Sequence, residues 1–416
     1  MSSRRLTAEQ AAARLGVKVD TVYAYVSRGH LQSARSPGGR TSTFDAAEVE
    51  QLARRGRPRR SSRSPHLDIQ IRTSITEVHD GELSYRGHRV ADLALTRPFE
   101  DVAALLWTAA LPPDDEAWMP WTHGRRLEVP SGSAVDRLRV LAALCAFDDP
   151  MRSDLSVSGV AASGQRLVAS VVDSLSPVAA RARRRVHRLE LQHGVEARSG
   201  TIAGRLAAQL SAGSVDRDLV SLCNTALVVL ADHELAASTL AARVAAATRA
   251  DPYGVVGAGL GPFSGALHGT ASRDVRTMLD SSIRDGAATA VADALRLHGF
   301  VPGFGHSLYP QGDPRAALML EQLVERRGQH AEFAHVRILL TTVVERVQIH
   351  PNVDFALAAL GHVAHLEPDS GEALFAVARM AGWLAHALEE YGERPLRFRP
   401  RAVFVAGGAR DGSGSD

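Results

Sequence analysis

From about residue 66 to residue 405, apolar side chains recur at three- and four-residue spacing, as in Val102-Ala-Ala-Leu105-Leu106 and in Phe375 to Trp383. That period commits most of the chain to helix. Composition agrees, because alanine and leucine dominate and aromatic residues make up only 5%. One strand-like exception surrounds His79-Asp80-Gly81, where the Asp-Gly pair suits a hairpin turn. No apolar run approaches the ~18 residues of a membrane-spanning helix, and the start lacks the apolar core of a secretory signal. Cys145 and Cys223 lie apart in apolar stretches, which excludes a disulfide scaffold or zinc finger and fits a reducing cytoplasm.

Charge divides the chain unevenly. Residues 1–65 carry 13 Lys and Arg against five Asp and Glu, net +8, while the remainder carries 35 against 41, net −6. Thr7-Ala-Glu-Gln10 reads as a capping box opening a first helix, Gly16 as a turn, and Asp20 as the cap of a second helix to Arg28. Leu31–Arg35 and Thr41–Phe44 flank Pro37-Gly-Gly-Arg40 as a wing, and Asp45-Ala-Ala-Glu48 opens a third helix ending near Arg55. This order resembles the winged helix-turn-helix of MerR and excisionase type, which implies DNA as a partner. Tyr23, Arg28, Arg35 and Arg40 would be the contacts, the wing arginines on phosphates. The bland alternative is a docking module that binds no DNA. Arginine bias weakens the basic signal as a diagnostic, since Lys18 is the single lysine. The expected layout is a winged helix-turn-helix at 1–55, a basic Pro/Ser/Arg linker at 56–65 and a disordered tail at 406–416.

Four segments of the helical part could handle a carboxylate substrate: Asp232-His233-Glu234, Leu267-His268-Gly269, Gly303-Phe-Gly-His306 with Asp313-Pro-Arg315, and Pro351-Asn-Val-Asp354-Phe355. Arg379 and Arg399 add two cations on and after the last long helix. Singly each has a plain structural explanation, such as a satisfied core histidine or a turn with an exposed arginine. Together, their order and spacing resemble the citrate synthase family. The segments Thr73–Ala94 and Phe99–Pro112 look like its N-terminal signature, and DHELAASTLAARVAAAT, GPFSGALHGTAS, VPGFGHSLYPQGDPRA, HPNVDFALAAL, ARMAGWLAHALEE and RPRAVFV follow in family order.

The resemblance implies a mainly α fold, with a large domain at 66–269 and 366–405 and a small domain at 270–365 closing over substrate. It implies condensation of acetyl-CoA with oxaloacetate to citrate and CoA, with no cofactor and no metal. Asp354 would be the base that takes the methyl proton, His268 the imidazole on the thioester oxygen, and His306 the group that polarises the oxaloacetate carbonyl. His233, Arg315 and Arg379 would hold oxaloacetate, and Arg399 would come from the partner subunit, so a homodimer is implied. Ala236, Ser272 and Pro310 depart from the family's Asn, Asn and Lys or Arg, which implies altered CoA handling. Propionyl-CoA as donor, giving 2-methylcitrate, stays open. So does a DNA-binding regulator that senses a metabolite without turnover.

Overall fold

The computed structural model describes residues 5–15, 17, 19–27, 31–35, 42–46, 48–49, 70–113, 118–119, 129, 131–175, 200–265 and 268–401. The chain divides into two compact units, residues 1–72 and 73–416. In the first, helix α1 (Ala8–Leu15) starts on the capping box: Gln10 N donates to Thr7 Oγ1 at 3.3 Å and Thr7 N to Gln10 Oε1 at 3.0 Å. Helix α2 spans Val19–Ser27, so Asp20 is its second residue and not its cap. Strands β2 (Ser33–Arg35) and β3 (Ser42–Asp45) pair antiparallel as the expected wing. The N-terminal strand β1 (Arg5–Thr7) also pairs with β3, giving an order β1-β3-β2 that no pattern in so short a segment announces. Ala11, Val22, Tyr25, Leu31 and Phe44 close a small core. Of the third helix, Ala46, Glu48 and Val49 are helical; its remainder, the linker, the tail, Arg28 and Arg40 lie outside the described residues.

Among its described residues, the second unit is helical apart from one small sheet. Strands β4 (Thr76–His79), β5 (Glu82–Tyr85) and β6 (His88–Arg89) form a meander. Its first turn is Asp80-Gly81 with φ +48° and +80°, the pairing required by a type I′ hairpin. Helices α3 (Val90–Thr96), α4 (Phe99–Thr108), α5 (Ala134–Asp148), α6 (Val157–Ser174) and α7 (Ile202–Leu210) follow. Then come α8 (Arg217–Leu230), α9 (Ala237–Ala247), α10 (Pro252–Phe263), α11 (Ala271–Asp285) and α12 (Ala287–His298). The last are α13 (Pro314–Arg327), α14 (Ala331–Val347), α15 (Val353–Val363) and α16 (Ser370–Gly392). Side-chain oxygens of Ser133, Ser156, Thr201, Asp216 and Asp251 each accept an N–H two or three residues into the helix they open. Helix α16 is buried on nearly every face, as expected of a helix apolar all round, and carries the fully buried Trp383. It is the axle against which α4, α5, α6, α8, α9 and α10 pack. No described helix is long and apolar enough to cross a membrane.

Candidate active site

Four loops and helix ends converge on one polar cluster. The first is residues 231–236, between α8 and α9. Tyr85 clamps it by donating to Asp232 O at 2.8 Å and accepting from Asp232 N at 3.1 Å. The buried Asp232 carboxylate accepts from Thr76 Oγ1 and lies 3.3 Å from His386 Nε2. Gly382 on α16 lets this loop press against the helix: its N–H donates to Ala231 O at 3.0 Å, and any Cβ there would collide with Ala231 O and Asp232. The result is a fixed His233, whose Nε2 sits 2.9 Å from Tyr309 Oη. Burial, with Arg315 and Arg379 adding to it, holds the His233 imidazole far below its ordinary range, so it is neutral.

The second and third pieces are sewn to each other. Gly303 and Gly305 have φ +80° and +81°, and a Cβ on Gly303 would come within 2.6 Å of Val275 Cγ2. Asn352 N donates to Gly303 O and Gly305 N to His350 O, both at 2.8 Å, while Asn352 Nδ2 reaches Gly305 O at 3.1 Å. The turn bearing His306 is thereby locked to the start of α15, where Asn352 caps and Asp354 occupies the first turn. Asp313 caps α13 with Pro314 at its first position and grips Arg315 with both carboxylate oxygens, at 2.9 Å and 2.8 Å. The same carboxylate accepts from Val353 N at 3.1 Å, which joins α13 to α15. Arg315 is buried, so the reading of Asp-Pro-Arg as a turn with an exposed arginine does not hold.

These joins place His306 at 5.5 Å from His233, ring centre to ring centre and edge-on, and its Nε2 at 3.4 Å from Arg315 Nη2. Leu308 N donates to His306 Nδ1 at 3.1 Å, which leaves the ring proton on Nε2. Burial, then Arg315, lowers the His306 basicity. Asp354 sits in the same neighbourhood: Oδ1 is sealed from solvent with no hydrogen-bond partner among the described residues. Burial raises its carboxyl to about 7 despite Arg315, with Asp313 and Asp274 adding to the rise.

The fourth piece is the turn after α10. His268 lies between the rings of Phe263 and Phe375, at 5.3 Å and 6.2 Å. Its Nε2 is 2.7 Å from the buried Ser238 Oγ on α9. Burial, then Arg379, pushes the imidazole down to about 4, so it is neutral at physiological pH. Ser238 as donor to Nε2 would put the ring proton on Nδ1. Arg379 donates through Nε to Leu230 O at 2.9 Å and lies over the Phe375 ring, 5.1 Å from its centre. Its Nη2 is buried without a partner among the described residues, a strong demand for an anion.

Of the residues singled out in the sequence, direct contacts bring together His233, His306 and Arg315. Asp354 joins them through Asp313, and His268 and Arg379 meet at Phe375. Arg399 stands apart: it is exposed, and its N–H donates to Arg397 O at 3.1 Å. Sequence reasoning did not single out Ser238, Tyr309 or the Asp313 clamp. Only Asp313 had a local signal, as an acidic cap before proline. In the first unit, Tyr23 is exposed with its ring edge-on to Phe44, and Arg35 is the last residue of β2. Among the described residues, no group of three or more His, Cys, Asp or Glu is arranged to hold a metal ion.

Residues 69–401 match the family described as citrate synthase, C-terminal domain. The chain belongs to the citrate synthase family. Members of the citrate synthase family are acyltransferases. Residues 5–57 separately match a helix-turn-helix domain family. The chain is 30% identical to citrate synthase 2 of Bacillus subtilis, over 81% of this chain and 94% of that protein. It is 32% identical to citrate synthase of Haloferax volcanii, over 82% and 93%. It is also 29% identical to 2-methylcitrate synthase 1 of Corynebacterium glutamicum, over 80% and 92%. Among solved structures, citrate synthase from Thermotoga maritima superposes with a TM-score of 0.64 at 25% identity, covering 82% of this chain and 94% of that one. A ternary complex of Thermoplasma acidophilum citrate synthase with carboxymethyl coenzyme A and oxaloacetate gives 0.65 at 22% identity, covering 83% and 96%; it shares the fold.

Proposed function

We propose that this chain condenses acetyl-CoA with oxaloacetate and hydrolyses the resulting thioester to citrate and CoA. The observation that carries the reading is Asp354, a carboxyl sealed from water at Oδ1 and within the field of Arg315. A base for a weakly acidic methyl group is most effective when its pKa lies near the working pH. In this reading Asp354 takes a proton from the acyl methyl group while His268 Nδ1–H stabilises the oxygen of the developing enol. The enol carbon then attacks the ketone of oxaloacetate. The ketone oxygen, between Nε2–H of His306 and Nη2 of Arg315, is polarised by both donors, and the alkoxide that forms takes back the proton Asp354 removed from the methyl group. Water finally cleaves the citryl thioester, releasing the CoA thiol. Arg379 and Arg315 meet the oxaloacetate carboxylates, with His233 as the neutral donor between them. Arg399 is assigned to the partner subunit's site in a homodimer. A cleft between residues 270–365 and the rest would close to keep water from the enol.

A relative named 2-methylcitrate synthase at 29% identity keeps propionyl-CoA as the second donor. One methylene is worth only about 1–3 kcal/mol in an apolar pocket, so the two are compared directly. The test is oxaloacetate-dependent release of CoA thiol from each ester. Release from either supports the enzyme, and the ratio of kcat/KM assigns the donor. No release from either, with the melting temperature still raised by oxaloacetate, would overturn turnover. The helix-turn-helix match would then favour a metabolite-sensing DNA-binding regulator.

A further inference from the structure

The chain is pinned tightly after α16 ends. Arg249 donates through Nη1 to Glu390 O at 3.0 Å and through Nη2 to Glu393 O at 2.8 Å. Leu396, turned back at φ +58°, donates its N–H to Ala247 O at 2.8 Å. Arg397 then lays its guanidinium on the fully buried Glu390 with two bonds, Nε to Oε1 at 2.6 Å and Nη2 to Oε2 at 2.7 Å. Glu390 is shared: its Oε2 also accepts from Arg243 Nε at 3.2 Å. Arg243 continues through Nη1 to His386 Nδ1 at 2.8 Å, and His386 Nε2 reaches Asp232, the neighbour of His233. A bidentate guanidinium–carboxylate pair on a fully buried carboxylate is among the more rigid links a surface segment can have. Two residues beyond it comes Arg399, at most about 7 Å of chain farther on, with its side chain exposed.

We infer that Glu390 and Arg397 are positioning residues for Arg399. They fix where the terminal segment leaves α16, so that Arg399 is presented to the partner subunit's oxaloacetate site without first having to be ordered. The inference rests on the assignment of Arg399 to that site. Its physical basis is preorganisation: a tethered cation that must lose backbone and side-chain freedom on binding contributes less affinity than one already held. Arg397 never touches substrate in this arrangement, so its effect passes wholly through Arg399.

The test uses full-length protein and the oxaloacetate Kd from calorimetry, with KM and kcat where turnover is measurable. Arg397→Ala leaves Glu390 paired with Arg243, so the buried network keeps a cation. The expected result is about tenfold weaker oxaloacetate binding, with kcat within about twofold and KM for the acyl-CoA unchanged. Arg397→Lys, which keeps the charge but only a point contact, should fall between. The double variant Arg397→Ala/Arg399→Ala should bind no more weakly than Arg399→Ala alone, because one acts through the other. Additive losses in the double variant, or a normal Kd in Arg397→Ala beside a raised one in Arg399→Ala, would overturn the positioning role while leaving Arg399 at the site. An unchanged Kd in Arg399→Ala would strike the partner-site assignment, and the inference with it.

Discussion

Replacing Asp354 by asparagine should cost the protein its condensation activity and give it stability, in a pH-dependent way. The carboxyl rises from 3.8 to about 7 in the folded state, chiefly through burial. Between those values the folded protein keeps the proton that the unfolded chain gives up, so this group's contribution to stability falls as pH rises from about 4 to about 7 and is then level. The full difference corresponds to at most about 4 kcal/mol of destabilisation above neutrality. About 3 kcal/mol of it develops between pH 5 and pH 8. An asparagine amide has no charge to desolvate, and any mismatch it introduces is the same at both pH values. The gain in melting temperature of Asp354→Asn over wild type should therefore be larger at pH 8 than at pH 5. For a unit the size of residues 73–416 the increment is roughly 4 °C, from the usual unfolding entropy per residue. Differential scanning fluorimetry at the two pH values, with thiol release alongside, measures both effects. In wild type, kcat/KM should climb as pH rises through about 7, because the base must be ionised. A melting difference that is flat with pH would show that Asp354 is not a buried carboxyl of raised pKa, and retention of more than a few per cent of kcat would show that it is not the base.

Ser238→Ala frees Nε2 of His268 and leaves it buried without a partner; loss of one such bond, about 1–3 kcal/mol, should lower kcat by about 5- to 150-fold with oxaloacetate affinity unchanged by calorimetry. Gly382→Ala should drive the 231–236 loop off α16 and weaken oxaloacetate binding, because the added Cβ has no room beside Ala231 O and Asp232; equal Kd values for variant and wild type would contradict this. Residues 1–72 as a separate fragment should bind duplex DNA, with affinity that falls steeply with salt as arginines release counterions, whereas residues 73–416 should not. Fluorescence anisotropy against the upstream region and random duplexes checks it, and absence of binding at low salt would favour a docking module.

Much of the local structure could be read from sequence where the cause is local. Thr7 and Gln10 cap each other across three residues, Asp80-Gly81 dictates its own hairpin, and Asp313 before Pro314 announces the start of α13. The site's identity was legible as an order of motifs, but its geometry was not. Ser238 meets His268 thirty residues later only because α9 packs against α10. Gly303 binds Asn352 across a whole helical hairpin. Arg315 looks like a surface arginine in its own segment and is buried because Asp313 neutralises it there. Strand β1 is three residues long, too short to carry a period, and forms because β3 offers it an edge.

Proton abstraction at Asp354 is most directly tested by following the methyl protons of acetyl-CoA in D2O by NMR. Malate takes the place of oxaloacetate: it offers the same two carboxylates but no ketone to attack, so enolisation is seen without condensation. Wild type should wash deuterium into the methyl group only when malate is present, and Asp354→Asn should not. Equal exchange by both proteins, or none by a wild type that releases thiol with oxaloacetate, would contradict abstraction by Asp354.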